Sequence, residues 1–194
     1  MYKMVFIPGR YFMAKKIGII VGSLRKDSFN KIIAETFEGL LPDGYEVVWI
    51  EIGDLPLYNE DLDHDDVPAA WQRLRDTAKT VDGVMFFTPE YNRSVPAAIK
   101  NAIDVGSRPM GQNVWGGKPA VVVTASPGAI GGFGANHHLR QSLTFVDMPT
   151  LQQPEAYIGN IPQHMDGNHF DEPTTGFFEI ILNAYLKFLN RFVD

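Results

Sequence analysis

Between the apolar run at residues 17–21 and the amphipathic stretch that begins at Phe29 stand Gly22, Ser23, Arg25, Ser28 and Asn30. Two hydroxyls, a guanidinium, an amide and the backbone N–H groups of a glycine-led loop are all hydrogen-bond donors. At the start of a helix they point the same way as the positive end of its dipole. The chemistry this set offers is the binding of an anion, a phosphate above all. The same residues also admit a plainer reading, in which Ser28 or Asn30 caps a helix and Arg25 is a solvated surface charge.

Two other stretches carry residues of similar promise. In "TPEYNRSVP" the rigid Pro89 is followed by Glu90, Tyr91 and the amide of Asn92. In "SPGAIGG" Ser126 precedes Gly128, Gly131 and Gly132, whose missing side chains let a ligand approach the backbone closely. Each has an ordinary alternative, since proline, glycine and asparagine are common loop residues. A phosphate attached to a flat heteroaromatic group would use all three stretches together.

Other patterns offer less. "GQNVWGGKP" has the wrong glycine spacing for a phosphate-binding P-loop and places proline where a magnesium-binding hydroxyl belongs. The pairs His137–His138 and His164/His169 lack acidic or thiolate partners at metal-ligand spacing. "DLDHDD" lacks the glycine and terminal glutamate of a calcium loop and reads as a solvated acidic segment. Neither a G-x-S-x-G elbow nor a nucleophile with its base and orienting acid can be assembled.

The elements that position the three stretches follow from apolar periodicity. Short continuous β-branched runs at residues 17–21, 83–88 and 120–125 predict strands covered on both faces. A further strand is predicted at residues 45–52 and a weaker one between Pro149 and Tyr157. Helical spacing follows each: Ile33, Phe37, Leu40 and Leu41 share one face, and "AAWQRLRDTAKTV", "VPAAIKNAIDV", "NHHLRQSLTFV" and "TGFFEIILNAYLKFLNRF" behave alike. Alternation of this kind predicts an α/β fold with right-handed crossovers, a doubly wound five-stranded parallel sheet in the flavodoxin-like order 2-1-3-4-5, and helices on both faces. In that order the ligand crevice lies beyond the carboxyl ends of the strands, where the loops after strands one, three and four meet. Those loops are the three stretches above. The segment at residues 53–68 is longer than a usual strand-to-helix connection and is expected to act as a lid or a partner surface.

With 194 residues and 45% apolar content, residues 15–194 are expected to form one domain. Residues 1–14 are expected to be a disordered extension, interrupted as they are by Pro8, Gly9 and Arg10. The net charge of −6 without a basic tract argues against a nucleic-acid partner. No apolar run is long enough for membrane insertion. Absence of cysteine removes disulfides, thiolate nucleophiles and cysteine-based metal sites, and fits a reducing compartment.

Taken together, "GSLRKDSFN", "PLYNEDL", "DGVMFFTPEYNRSVPAAIKNAID", "GGKPAVVVTASPGAIGG" and "HLRQ" resemble the NAD(P)H-dependent FMN reductases of flavodoxin-like fold, in particular their quinone and chromate reductase branch. The resemblance runs from about Lys16 through the last helix. It implies FMN as cofactor, NADPH or NADH as co-substrate, and quinones as acceptors, with azo, nitroaromatic or chromate compounds as incidental ones. It also implies that Ser23, Arg25, Ser28 and Asn30 bind the FMN phosphate. Pro89, Glu90, Tyr91 and Asn92 would line the isoalloxazine, and Ser126 and Gly128 would approach its pyrimidine side. No side chain is then expected to be catalytic and no metal is expected, because the flavin carries the chemistry. A homodimer or homotetramer in the cytoplasm is implied as well. The competing expectation is a flavodoxin-type FMN electron carrier, against which Arg25 stands in place of an uncharged hydroxyl-rich loop.

Overall fold

Strands form in this chain where residues that would be costly to expose run together without a break. The computed structural model describes residues 4–7 and 10–193. Within the stretch expected to be disordered, β1 (Met4–Ile7) and β2 (Arg10–Met13) pair antiparallel, with Met4 opposite Met13. Residues 1–3, 8 and 9 of that stretch, and the terminal residue 194, lie outside the described residues.

The main sheet comprises β3 (Lys15–Val21), β4 (Tyr45–Trp49), β5 (Gly83–Thr88), β6 (Ala120–Ala125) and β7 (Ala156–Ile158), all parallel, in the spatial order β4-β3-β5-β6-β7. Counted among themselves these five have the order 2-1-3-4-5. The helices α1 (Phe29–Gly39), α2 (Ala69–Lys79), α3 (Ala97–Gly106), α4 (Phe133–Phe145) and α5 (Glu172–Leu189) make the crossovers and the final cover. β4 stops at Trp49, short of the expected Ile52. A two-residue hairpin between Met165–Asp166 and His169–Phe170, absent from the sequence expectations, precedes α5.

Period-two alternation sorts the side chains of the sheet. Ile20, Val84, Phe86 and Val122 face Trp71, Leu74, Ile103, Leu139 and Leu143 of α2, α3 and α4. Ile17, Ile19, Met85, Phe87, Val121 and Val123 face Ile33, Phe37, Phe178 and Tyr185 of α1 and α5. β5 and β6 are buried on both sides along their whole length, which is why they read as unbroken apolar runs.

The long segment after β4 is strapped down rather than free. Trp71 Nε1 and Asn101 Nδ2 both donate to the Pro56 carbonyl at 2.9 Å, and Tyr58 N donates to Asn101 Oδ1 at 2.8 Å. Asp63, expected to be solvated with the rest of "DLDHDD", is instead buried. Its carboxylate receives Arg75 Nη1 at 2.7 Å and Nη2 at 2.6 Å, with the two side chains 2% and 6% exposed. Arg75 Nε donates to the Val105 carbonyl at 3.0 Å, which joins the strap to the end of α3.

Removing one member of such a pair leaves the other charge buried and unpaired. Asp63→Ala is therefore expected to cost about 3–5 kcal/mol, read by urea denaturation. The hydrogen bonds from Arg75 hold Asp63 below the usual carboxylate range. Its contribution is complete above the unfolded value near ~3.9 and is lost as pH falls through the lower folded value. Asp63→Asn is expected to flatten the acid limb of the stability profile, while an unchanged acid limb would mean that the pair contributes nothing.

Candidate flavin site at the carboxyl edge of the sheet

All three loops singled out by the sequence stand at one edge, beyond the ends of β3, β5 and β6. They are also tied to one another. Gly22 N donates to the Phe87 carbonyl at 2.8 Å, and the Gly22 backbone lies so close to Thr88 that a side chain would meet Thr88 Oγ1. Asn30 Nδ2 donates to the Ala125 carbonyl at 3.3 Å, bridging the start of α1, just after the first loop, to the end of β6, just before the third. Glu90 Oε2 accepts from Ala135 N at 3.1 Å, bridging the second loop to the start of α4.

In the first loop, backbone N–H groups of residues 23–27 have no protein acceptor among the described residues. A row of free donors just before the N-terminus of α1 is a ready anion cradle. Ser23 is half-buried and Arg25 exposed, and neither side chain is hydrogen-bonded there. Ser28 is buried at the N-cap, its Oγ accepting from Lys31 N at 3.3 Å, so the capping reading holds for that residue. Asn30 is buried with its donor end on Ala125, and its Oδ1 has no partner among the described residues. An acceptor cannot hold a phosphate oxygen, so this placement gives the Asn30 side chain a bracing task.

The second loop is a tight turn. Tyr91 and Ser94 exchange both backbone hydrogen bonds at 2.9 Å, and Asn92 and Arg93 between them have φ of 50° and 63°. Positive φ at both central positions is the geometry of a primed hairpin turn. It presents Tyr91, 49% exposed, and Asn92 at the open edge beside the half-buried Pro89. Arg93 pairs with Glu90 Oε1 at 3.2 Å.

In the third loop, Ser126 Oγ donates to the Gly128 carbonyl at 3.0 Å, and a Cβ at Gly128 would meet Ser126 Oγ at an ordinary 3.8 Å. Gly131 has a φ of +65°, and a Cβ there would lie 2.6 Å from the Tyr157 backbone. Gly132, with φ of +81°, forms the N-cap of α4. Gly134 leaves room for Arg93 O and Glu90 Oε2, which a Cβ would meet at 2.7 and 2.9 Å.

Sequence reasoning missed several of the supports. Ser94 Oγ lies 2.9 Å from His138 Nδ1, and Asn136, fully buried, donates to the Val122 carbonyl at 3.1 Å. Asn136 sits on the buried face of α4, and a lone amide on an apolar helix face was the available signal. Burial, followed by the hydrogen bond with Glu155, pushes the Tyr157 phenol up to about 12, so it stays protonated at neutral pH. Among the described residues no group of three metal-ligating side chains comes together. No described helix is long and apolar enough to cross a membrane.

Free donors beside a glycine-opened pair of rigid loops, at the switch point of a doubly wound sheet, define a mononucleotide-binding protein of the flavodoxin-like class. Comparison with known proteins is specific. The profile of the NADPH-dependent FMN reductases matches residues 15–163, and the chain belongs to that family. It is 50% identical over 180 residues to a quinone reductase of Pseudomonas putida, covering 91% of this chain and 97% of that one. It is 42% identical over 175 residues to a 2-hydroxy-1,4-benzoquinone reductase of a Burkholderia species, covering 89% and 95%. Among solved structures, the flavoenzyme FerB of Paracoccus denitrificans, an NAD(P)H:(acceptor) oxidoreductase, superposes with a TM-score of 0.87 at 40% identity, covering 92% and 99%.

Because Glu90 caps α4 from another loop, Glu90→Ala is expected to leave the Ala135 N–H unsatisfied and to cost about 1–2 kcal/mol of stability. Glu90→Gln keeps an acceptor and loses mainly the pair with Arg93, whose side chain is 71% exposed. Its expected cost is within about 0.5 kcal/mol. Thermal unfolding of both variants checks the contrast, and equal losses would contradict the capping role.

Proposed function

We propose that the chain is an FMN-dependent oxidoreductase that oxidises NADPH or NADH and reduces quinones or similar small planar acceptors. The observation that carries this reading is the run of free N–H donors before α1, tied through Gly22 to the end of β5 and through Asn30 to the end of β6, where the other two loops begin. The relatives named as quinone reductases, matched over nearly their full length, support the choice of acceptor.

The residues fit an FMN. Backbone donors of residues 23–27, with Ser23, Arg25 and the helix end capped by Ser28, would hold its phosphate, and Asn30 would keep that loop in register with Ala125. Pro89, Glu90, Tyr91 and Asn92 would line the ring, while Ser126 and Gly128 would approach its polar edge. Bound FMN would supply the two-electron redox chemistry. The chain's part is to bind and orient: the Glu90 carboxylate is engaged by Ala135 and Arg93, which suits a positioning role better than that of a general base. Backbone donors near the ring would favour negative charge developing on it, as an oxyanion hole does.

A homodimer or homotetramer in the cytoplasm belongs to the same proposal. A groove of about 620 Å³ between α3 and α4, in which Tyr58, Ile103, Val146 and the 87%-exposed Phe145 stand among polar residues, is a surface that a second copy would cover.

The purified protein is expected to carry oxidised-flavin absorbance and to bind FMN at least about tenfold more tightly than riboflavin. Arg25→Ala is expected to lower FMN affinity by roughly one to two decades, as for one lost charge-assisted hydrogen bond, while riboflavin affinity stays nearly unchanged. Fluorescence quenching measures both, and stopped-flow reduction by NADPH at saturating FMN measures the rate, which is expected to stay within about threefold. Equal wild-type affinity for FMN and riboflavin would overturn the phosphate-loop assignment.

A further inference from the structure

The first loop has a second face. Between that loop and the end of β4 lies a cleft of about 310 Å³, on the side away from the loops that follow β5 and β6. Arg25, Lys26 and Lys31 line it together with Trp49 and Glu51. Arg25 and Lys26 are exposed and make no ion pair or side-chain hydrogen bond among the described residues. The ion pair of Lys31, with Glu35, is long at 3.8 Å and joins two half-exposed side chains. Trp49 is half-buried and its indole is steadied by donation from Nε1 to Glu38 Oε2 at 3.0 Å.

Three cations against one carboxylate reverse, locally, the sign of a chain whose net charge is −6. The free backbone donors before α1, with Arg25, already suffice for one phosphate, so Lys26 and Lys31 on the other wall call for a second anion. The cleft lies over β4 and β3 and the ring loops follow β5 and β6, so the two stand side by side on one edge, roughly 5–10 Å apart at sheet spacing. A ligand whose reactive end meets the flavin ring and whose far end carries a phosphate would occupy both. The steadied indole adds a flat wall suited to a purine.

We propose that this cleft receives the adenosine end of the nicotinamide dinucleotide, with Lys26 and Lys31 reading its ribose 2′-phosphate, so that NADPH is preferred to NADH. The inference rests on the oxidoreductase reading above. Glu51 opposes it in a defined way, since a carboxylate accepts from a free ribose hydroxyl and repels a phosphate at the same position. The balance between the lysines and Glu51 thus sets the preference.

The test is calorimetric titration of the FMN-loaded protein with adenosine 2′,5′-bisphosphate and with 5′-AMP at low salt. The bisphosphate is expected to bind at least about tenfold more tightly, or about 1.4 kcal/mol, and the gap should shrink as salt screens the exposed lysines. Lys26→Ser/Lys31→Gln is expected to bring the two ligands within about threefold, and Glu51→Gln to widen the gap, a two-way response that a merely structural role would not produce. FMN affinity should stay within about twofold in both variants. Equal binding of the two nucleotides by the wild type would overturn the inference. So would a loss of FMN affinity in the double variant without a change in nucleotide preference, because the cations would then belong to the flavin phosphate. A protein that takes up no FMN at all would bring down the oxidoreductase reading first, whereas FMN uptake without nucleotide discrimination would bring down this inference alone.

Discussion

Glu90 stands in the second loop and accepts its hydrogen bond from the first turn of α4, an element that begins only after the third loop has ended. That single contact sets how far apart two of the three loops can be. It is helped by the helix dipole, since a carboxylate at a helix N-terminus meets both an unpaired N–H and positive partial charge. It also depends on the lack of a side chain at Gly134, where a Cβ would stand 2.9 Å from Glu90 Oε2. Asn30 does the corresponding work between the first loop and Ala125. The edge is therefore braced from two directions, by Glu90 of the second loop and by Asn30 in the first turn of α1, while the rigid ends of β3, β5 and β6 provide the base.

A consequence concerns chemistry. A glutamate in a crevice beside a tyrosine invites the reading of a general base, yet Glu90 has its oxygens engaged by Ala135 and Arg93. Tyr157 is kept neutral by burial. What remains is a surface of fixed donors and fixed apolar walls. Such a surface can orient a ring system and favour charge on it without exchanging protons with it, which is the division of labour expected where a cofactor carries the reaction.

Much of this was legible beforehand, and the reason is burial. β5 and β6 are covered on both faces, so their sequences are unbroken apolar runs with sharp ends, and their expected limits of 83–88 and 120–125 coincide with the structure. The strand order, and with it the meeting of three distant loops, followed from alternation and handedness. The supports were not legible, because each joins residues whose partners are decided only by the finished fold. Asp63 sits in an acidic, solvated-looking segment, and nothing local marks Arg75 as its partner. The strap it forms ties down the segment expected to act as a lid or a partner surface. Arg93 occupies a backbone region that disfavours a long side chain, and only its place in the primed turn with Asn92 accounts for it. Asn30 looked like a phosphate donor, whereas its amide is turned inward to a carbonyl.

The placement of charge completes the argument. A chain of net charge −6 repels anions at long range, so any phosphorylated ligand must be drawn by a local field. At physiological salt that field reaches only about 8 Å. Arg25, Lys26 and Lys31 are confined to the wall beside the first loop, while Asp54, Glu60, Asp61 and Asp63 belong to the strapped segment that follows β4. Pairing of Asp54 with Arg73 and of Asp63 with Arg75 removes two of those carboxylates from the balance at the edge. The strap thus does more than stiffen the wall: by pairing Asp54 and Asp63 with arginines of α2, it lessens the negative charge that would oppose the cations of the first loop.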